Sequence, residues 1–396
     1  MTVNRRDALK RLTAGVVGVA AVAALPGAQA VQGADETPSF HGPHQAGIFT
    51  PAQRSAIFAA FDIAVSSVAE LRKVLQTLTA RARFLTTGGE PAAGPITAPP
   101  ADNGVLGPAV PADRLTITVS AGASLFDGRF GLADRKPRAL TPMGVFPGDA
   151  LDPAWCHGDL LLQICADNPD TVHHALRDIA RYTRGSLLLR YRRAGFLSPP
   201  RPSGTPRNLM GFKDGTSNPV EAEGAALVWA GAGEPDWAAG GSYQVLRLIR
   251  MHTEFWDRVS TAEQEAIIGR RRDSGAPLDG VREQDKPDYE RDPAGVVIPL
   301  DAHIRLANPR TAETANGRIL RRPYNYDDGL VPGGDLDAGL LFCAYQQDLR
   351  RGFEAIQKRL AEDPLNDYIR PFGGGYFFAL PGVTSTTDWY GRGLLG

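Results

Sequence analysis

An isolated acid, seven histidines, three cysteines and a run of arginines hold most of the chemistry this sequence could perform. The acid is Asp214 in GFKDGTSNP, residues 211–219, with Gly211 and Gly215 on either side. Such a stretch is either a turn or a carboxylate kept clear of bulky neighbours. His173 and His174 are adjacent on a helical stretch, so they point apart, and no H-E-x-x-H pair exists. A multi-histidine metal site is therefore disfavoured, while a single axial histidine, as haem needs, stays open. Cys156, Cys165 and Cys343 are too few for a disulfide framework and lack zinc-site spacing. His303 stands in VVIPLDAHIRLANPRTAETANGRILRRPYNYDDG, residues 296–329, followed by Arg305, Arg310, Arg318, Arg321 and Arg322. Arginines pair well with carboxylates such as haem propionates. A solvated basic loop accounts for them equally at this point.

The remaining composition is that of a globular chain. Among 396 residues, 43 basic balance 44 acidic side chains, which argues against a nucleic-acid partner. The N-terminus is a different matter. Arg5 and Arg6 precede an apolar run from about Leu12 to Leu25, and Ala28-Gln29-Ala30 has the form of a cleavage site. The run is too short to span a bilayer, so residues 1–30 are expected to be a twin-arginine export signal. The mature chain would then work in the periplasm or outside the cell, with no membrane span. Export in the folded state suits a protein that must take up a cofactor first.

The elements that position these residues alternate in a regular grammar. Residues 31–44 are expected to be a flexible tether. Strands are predicted over 54–63, 114–122, 159–166, 186–196, 242–252 and 339–347. Helices are predicted over 65–83, 171–183, 253–270 and 348–362. Residues 85–113 form a long Gly/Pro/Ala-rich loop, and 197–208, LSPPRPSGTPRN, is the expected linker. The strand–helix order suggests an α+β, ferredoxin-like unit occurring twice, over 45–196 and 209–396.

GFKDG, HIRLANPRTAE (303–313), ILRRPYNY (319–326), CHGDLLLQICADN (156–168) and GGGYFFALPGV (373–383) together resemble the dye-decolourising peroxidases. The likeness is strongest to the exported deferrochelatase/peroxidase branch and covers nearly all the chain after the signal. It implies tandem ferredoxin-like domains with one haem b per subunit, mainly in the second. It implies His303 as proximal iron ligand, Asp214 as distal acid and Arg321 as distal arginine. Lys213 and Gly215 would line the haem, and Asn308, Pro309 and Arg310 would run along its edge. Pro323 departs from branches that carry Asn there, which leaves distal catalysis to Asp214 and Arg321. The implied reaction is oxidation of organic reductants by hydrogen peroxide. The same pocket would serve iron release from haem with the porphyrin intact, or a haem carrier within iron uptake. A homodimer or larger assembly is implied.

An axial histidine usually donates its other N–H to a carboxylate. Asp348, ending the strand 339–347, is the candidate for that carboxylate; capping the next helix is its alternative role. Asp327 and Asp328 are expected in a turn. Trp389, Tyr390, Tyr324 and Tyr326 are candidates for passing electrons to bulky substrates.

Overall fold

Strand β1 (Ser55–Ile63) sends Ile57, Ala59 and Phe61 into one apolar core and Ala56, Phe58 and Ala60 into another. Both faces are buried because the strand lies centrally in its sheet. In the computed structural model, which describes residues 36–396, β1 is followed by α1 (Val68–Thr87), β2 (Thr116–Gly122), β3 (Leu160–Ala166), α2 (Pro169–Tyr182) and β4 (Leu187–Phe196). A capping box starts α1: Ser67 accepts from Glu70 N, and Glu70 accepts from Ser67 N. The export signal assigned to 1–30 lies outside the described residues.

The second repeat holds α3 (Gly224–Leu227), β5 (Ser242–Met251), α4 (Thr253–Trp256), α5 (Thr261–Ile268), α6 (His303–Ala307), β6 (Leu320–Arg321), β7 (Tyr324–Leu330), β8 (Leu336–Gln346), α7 (Ala355–Arg359), β9 (Ile369–Ala379) and α8 (Arg392–Leu395). The strand orders match: β2-β3-β1-β4 in the first repeat, and β7-β8-β5-β9 in the second, all antiparallel. Each is the ferredoxin-like arrangement, so the fold is a tandem duplication. The two sheets join edge to edge, through Phe196–Asn325 between β4 and β7 and through Ser120–Ala379 to Gly122–Phe377 between β2 and β9. A ring results. Its interior holds Phe58, Leu161, Leu246, Leu341, Cys343 and Tyr345. At the β2–β9 seam the Gln45 side-chain amide donates to Val119 O (2.7 Å) and Leu380 O (2.8 Å) and accepts from Val119 N (2.8 Å).

Three expectations need correction. The tether is bound where it is described, since His41 bridges to Val383 and His44 stacks on Trp229 at 3.7 Å. The predicted helix over 253–270 breaks into α4 and α5, because Ser260 caps a new start by accepting from Glu263 N. Asp327 and Asp328 lie within β7, and Asp328 pairs with Arg193. The long loop 85–113 is present as expected and is anchored at two points. Gly89 and Val110 close its base, and Asp102 meets the buried His174 at 2.6 Å.

The outer faces of the two sheets differ, and this difference makes the site. The first repeat covers its outer face with α1 and α2, which share a core with β1 to β3. In the second, alternate residues of β5 (Arg247, Ile249, Met251) and β8 (Leu340, Phe342) face a cavity instead.

Candidate active site

The cavity has an apolar wall from that sheet, extended by Met210, Phe212, Ile268 and Leu365. Further walls come from α6, through His303, Ile304 and Ala307, and from the segment after β8, through Phe353, Ile356 and Leu360. That segment, expected as one helix, runs through a π turn (350–354), α7 and a 3-10 turn (360–362).

His303 begins α6 and lines the cavity. Its Nδ1 lies 2.5 Å from Oδ2 of Asp363, whose side chain is only 2 % exposed. A carboxylate only accepts, so the proton sits on Nδ1 and the Nε2 lone pair is left for a metal. Asp363, not Asp348, is therefore the carboxylate behind this histidine. Asp348 does the alternative job: its Oδ1 accepts from the backbone N–H of Arg350 (2.8 Å) and Arg351 (2.9 Å). Asp363 also caps its own turn, with Oδ1 accepting from Leu365 N at 2.9 Å. Arg359 holds the other end of α6 by donating to the carbonyls of Leu306 (2.8 Å) and Ala307 (3.0 Å).

Asp214 and Arg321 come together as a pair. Arg321 Nη1 donates to Asp214 Oδ1 at 2.7 Å, and both line the cavity. Two backbone devices fix them. Asp214 N donates to Pro206 O, and Arg207 bridges to Lys213, so the end of the expected linker folds back as part of the site. Asn218, from the same GFKDGTSNP stretch, clamps the Arg321 backbone by donating to its carbonyl (2.7 Å) and accepting from its N–H (3.1 Å). Gly211 (φ 87°) and Gly215 (φ 113°) both adopt left-handed backbone that other residues resist.

The other candidates divide. Asn308 and Arg310 line the cavity, whereas Pro309 faces an outer dent with Lys286 and Tyr289. Gly215 shapes the loop without lining the wall. Lys213 lines it, but its ammonium is engaged by Glu283 and Ser203 O. Tyr324, Tyr326 and Tyr390 are buried, so none offers a surface exit for electrons.

The cavity fits an anionic, planar guest. Among the described residues neither Arg270 nor Arg310 has a carboxylate partner, and Nε of Arg310 is buried without any hydrogen bond. Burial, then the like charges of Arg310 and Arg321, push the Arg270 guanidinium below its usual range. Those uncompensated cations suit propionates, the apolar walls suit a macrocycle, and Nε2 of His303 suits its iron.

A ferredoxin-like pair that opens one outer face onto a lone imidazole and an acid–arginine couple has the makings of a haem peroxidase. Comparison with known proteins agrees. Residues 45–197 match the family model for the N-terminal part of Dyp-type peroxidases, and 205–384 match that for the C-terminal part. A deferrochelatase of Escherichia coli O6:K15:H31 is 51% identical over 384 residues, covering 93% of this chain and 90% of that one. One from Shigella flexneri is 50% identical over 383 residues, with the same coverage. A DyP-type peroxidase from Cellulomonas bogoriensis superposes with a TM-score of 0.82 at 39% identity, covering 91% of this chain and 98% of that one. Ferric DtpA from Streptomyces lividans gives 0.82 at 38%, covering 91% and 97%. The chain belongs to the Dyp-type peroxidase family and is a haem-dependent enzyme.

Proposed function

We propose that this chain uses His303 as the axial ligand of haem b and the Asp214–Arg321 pair to turn over hydrogen peroxide. The 2.7 Å bond between those two side chains carries the reading. When bound, haem supplies the redox chemistry, reducing peroxide to water and later drawing electrons from an organic reductant. The protein's share is proton transfer and electrostatics. Asp214 takes a proton from one peroxide oxygen and returns it to the other, acting first as base and then as acid. Arg321 is permanently charged, stabilises the negative charge that develops, and holds Asp214 in place meanwhile. Asp363 keeps the proton of His303 on Nδ1 and strengthens the imidazole as a ligand. Arg270 and Arg310 would hold the propionates, and Asn308 lines the same cavity.

The 51% identity to a protein named deferrochelatase favours a second reading of the same cavity, removal of iron from haem with the porphyrin left whole. A passive haem carrier has no use for the Asp214–Arg321 pair. Arg5 and Arg6 support export by the twin-arginine route to the periplasm or beyond, where iron-uptake components would be the natural partners. No helix among the described residues is long and apolar enough to cross a membrane. A homodimer or larger assembly completes the proposal.

The test is to add peroxide to haem-loaded protein and follow the Soret band by stopped flow, with free protoporphyrin assayed in parallel. Arg321→Leu should keep its haem and react with peroxide at least about tenfold more slowly. An unchanged rate removes Arg321 from the mechanism, and metal-free protoporphyrin formed without peroxide makes iron release the primary activity.

A further inference from the structure

Glu283 stands 70 residues beyond Lys213, yet its carboxylate ties two other segments, one at Thr205 and one at Lys213–Thr216, together beside Asp214. Oε2 pairs with Lys213 Nζ. Oε1 accepts from the backbone N–H of Thr205 (3.1 Å), from the Thr205 hydroxyl, and from Thr216 Oγ1 (3.1 Å). Lys213 also donates to Ser203 O at 2.9 Å. The pair is nearly closed off from solvent, with Lys213 4% and Glu283 10% exposed. The backbone makes room for it. A Cβ on Gly204 would stand 2.2 Å from Glu283 Oε2, and one on Gly275 would stand 2.6 Å from Lys213 Cδ; both glycines have positive φ. Removing one member of such a pair leaves the other buried and uncompensated.

We propose that Glu283 is a positioning residue for Asp214. By holding Lys213 on one side of the acid and Thr216 on the other, it fixes where the Asp214 carboxyl stands relative to the cavity and to Arg321. It touches neither substrate nor cofactor. The inference rests on Asp214 being the proton shuttle. The charged groups facing Glu283 are Lys213 and, through a hydrogen bond to the Glu283 backbone carbonyl (2.9 Å), Arg270. Burial favours the neutral acid, but the hydrogen bonds from Lys213 and Thr205 outweigh it and keep the carboxyl below its usual range. The clamp therefore stays charged where Asp214 works.

Haem-loaded Glu283→Ala and Glu283→Gln decide the matter. Glu283→Ala should keep its haem content and Soret position, yet react with peroxide between about tenfold and a hundredfold more slowly, the scale of a small misplacement of a catalytic group. Its acidic pH limb should move, because the surroundings of Asp214 change. Glu283→Gln keeps acceptors for the threonines and loses the ion pair, so it should fall between parent and alanine variant. Adding Lys213→Met to Glu283→Ala should cost less than Lys213→Met costs in the parent, since the ion pair is already gone. Hydrogen exchange at the Thr205 amide, which bonds directly to Glu283 Oε1, should accelerate in Glu283→Ala and stay near parental in Glu283→Gln, which keeps that acceptor. If Glu283→Ala does not fold, the peroxide rate and pH limb of the glutamine variant, which loses the ion pair alone, stand in. Peroxide rates within twofold of the parent, with an unmoved pH limb and unchanged exchange, overturn the proposal. If instead Asp214→Asn reacts at the parental rate, the underlying shuttle reading fails, whatever the Glu283 variants do.

Discussion

The imidazole of His303 and the carboxylate of Asp363 share one hydrogen bond, Nδ1 to Oδ2 at 2.5 Å, and the proposed ligand role can be tested through each partner. His303→Ala should lose most of its Soret absorbance on purification. Asp363→Asn should retain haem with a weaker axial bond, seen as a shifted spin-state spectrum and a higher iron reduction potential; unchanged spectrum and potential would remove Asp363 from that role. Glu283 adds a pH dependence whose sign is fixed. Its folded pKa lies below the ordinary 4.5, so its stabilisation is complete above that value and disappears as pH falls through the folded pKa. The Tm gap between parent and Glu283→Gln should accordingly close on acidification from neutrality; a gap that widens would contradict the ion pair. At this scale the sequence was partly legible. Asp214 and His303 stood out through their neighbours, whereas Arg321 was singled out from five arginines only by the family resemblance. Asp363 did not stand out, because DPLND reads as a turn cap, and it is one; its second oxygen serves a residue 60 positions away, which no local pattern records. The partner of Lys213 was equally illegible, because Glu283 lies 70 residues away.

Strands were easier to read than helices. β1, β2, β3 and β5 are legible as short, largely apolar runs because both faces of each are almost wholly buried. The stretch 253–270 broke where Ser260 caps a new helix, and 348–362 runs through a π turn before α7, features that apolar spacing does not record. Three strands went unseen: β6 because two residues carry no period, and β7 (YNYDDGL) and β9 (IRPFGGGYFFA) because their Asp-Gly and Gly-Gly-Gly stretches read as turns. In β6, placement depends on Asn218, whose two backbone bonds hold Arg321 more directly than the ladder pairing to Ala344. Asn218→Ala is expected to lower unfolding free energy by about 1–3 kcal/mol and to slow the peroxide reaction as well. Urea denaturation and stopped flow measure the two losses. Lost stability with a parental rate would mean that Arg321 finds its place without the clamp.

The duplication was visible as a repeated order of elements, but the ring was not, because pairing between distant edges leaves no local trace. Closure has a cost for independence: the core shared by β1, β3, β5 and β8 belongs to neither repeat alone. Residues 45–197 and 205–384 expressed separately should therefore bind a dye for exposed apolar surface and elute as aggregates. Monomeric, cooperatively unfolding halves would show that each repeat is self-sufficient. The seam itself is finished by a side chain. Gln45 supplies one donor and one acceptor to Val119 and a further bond to Leu380, as a peptide group in an adjoining strand would. At Val119, where two sheet edges meet, a strand from another molecule finds the backbone already taken. Gln45 is in that sense a guard against edge-to-edge aggregation.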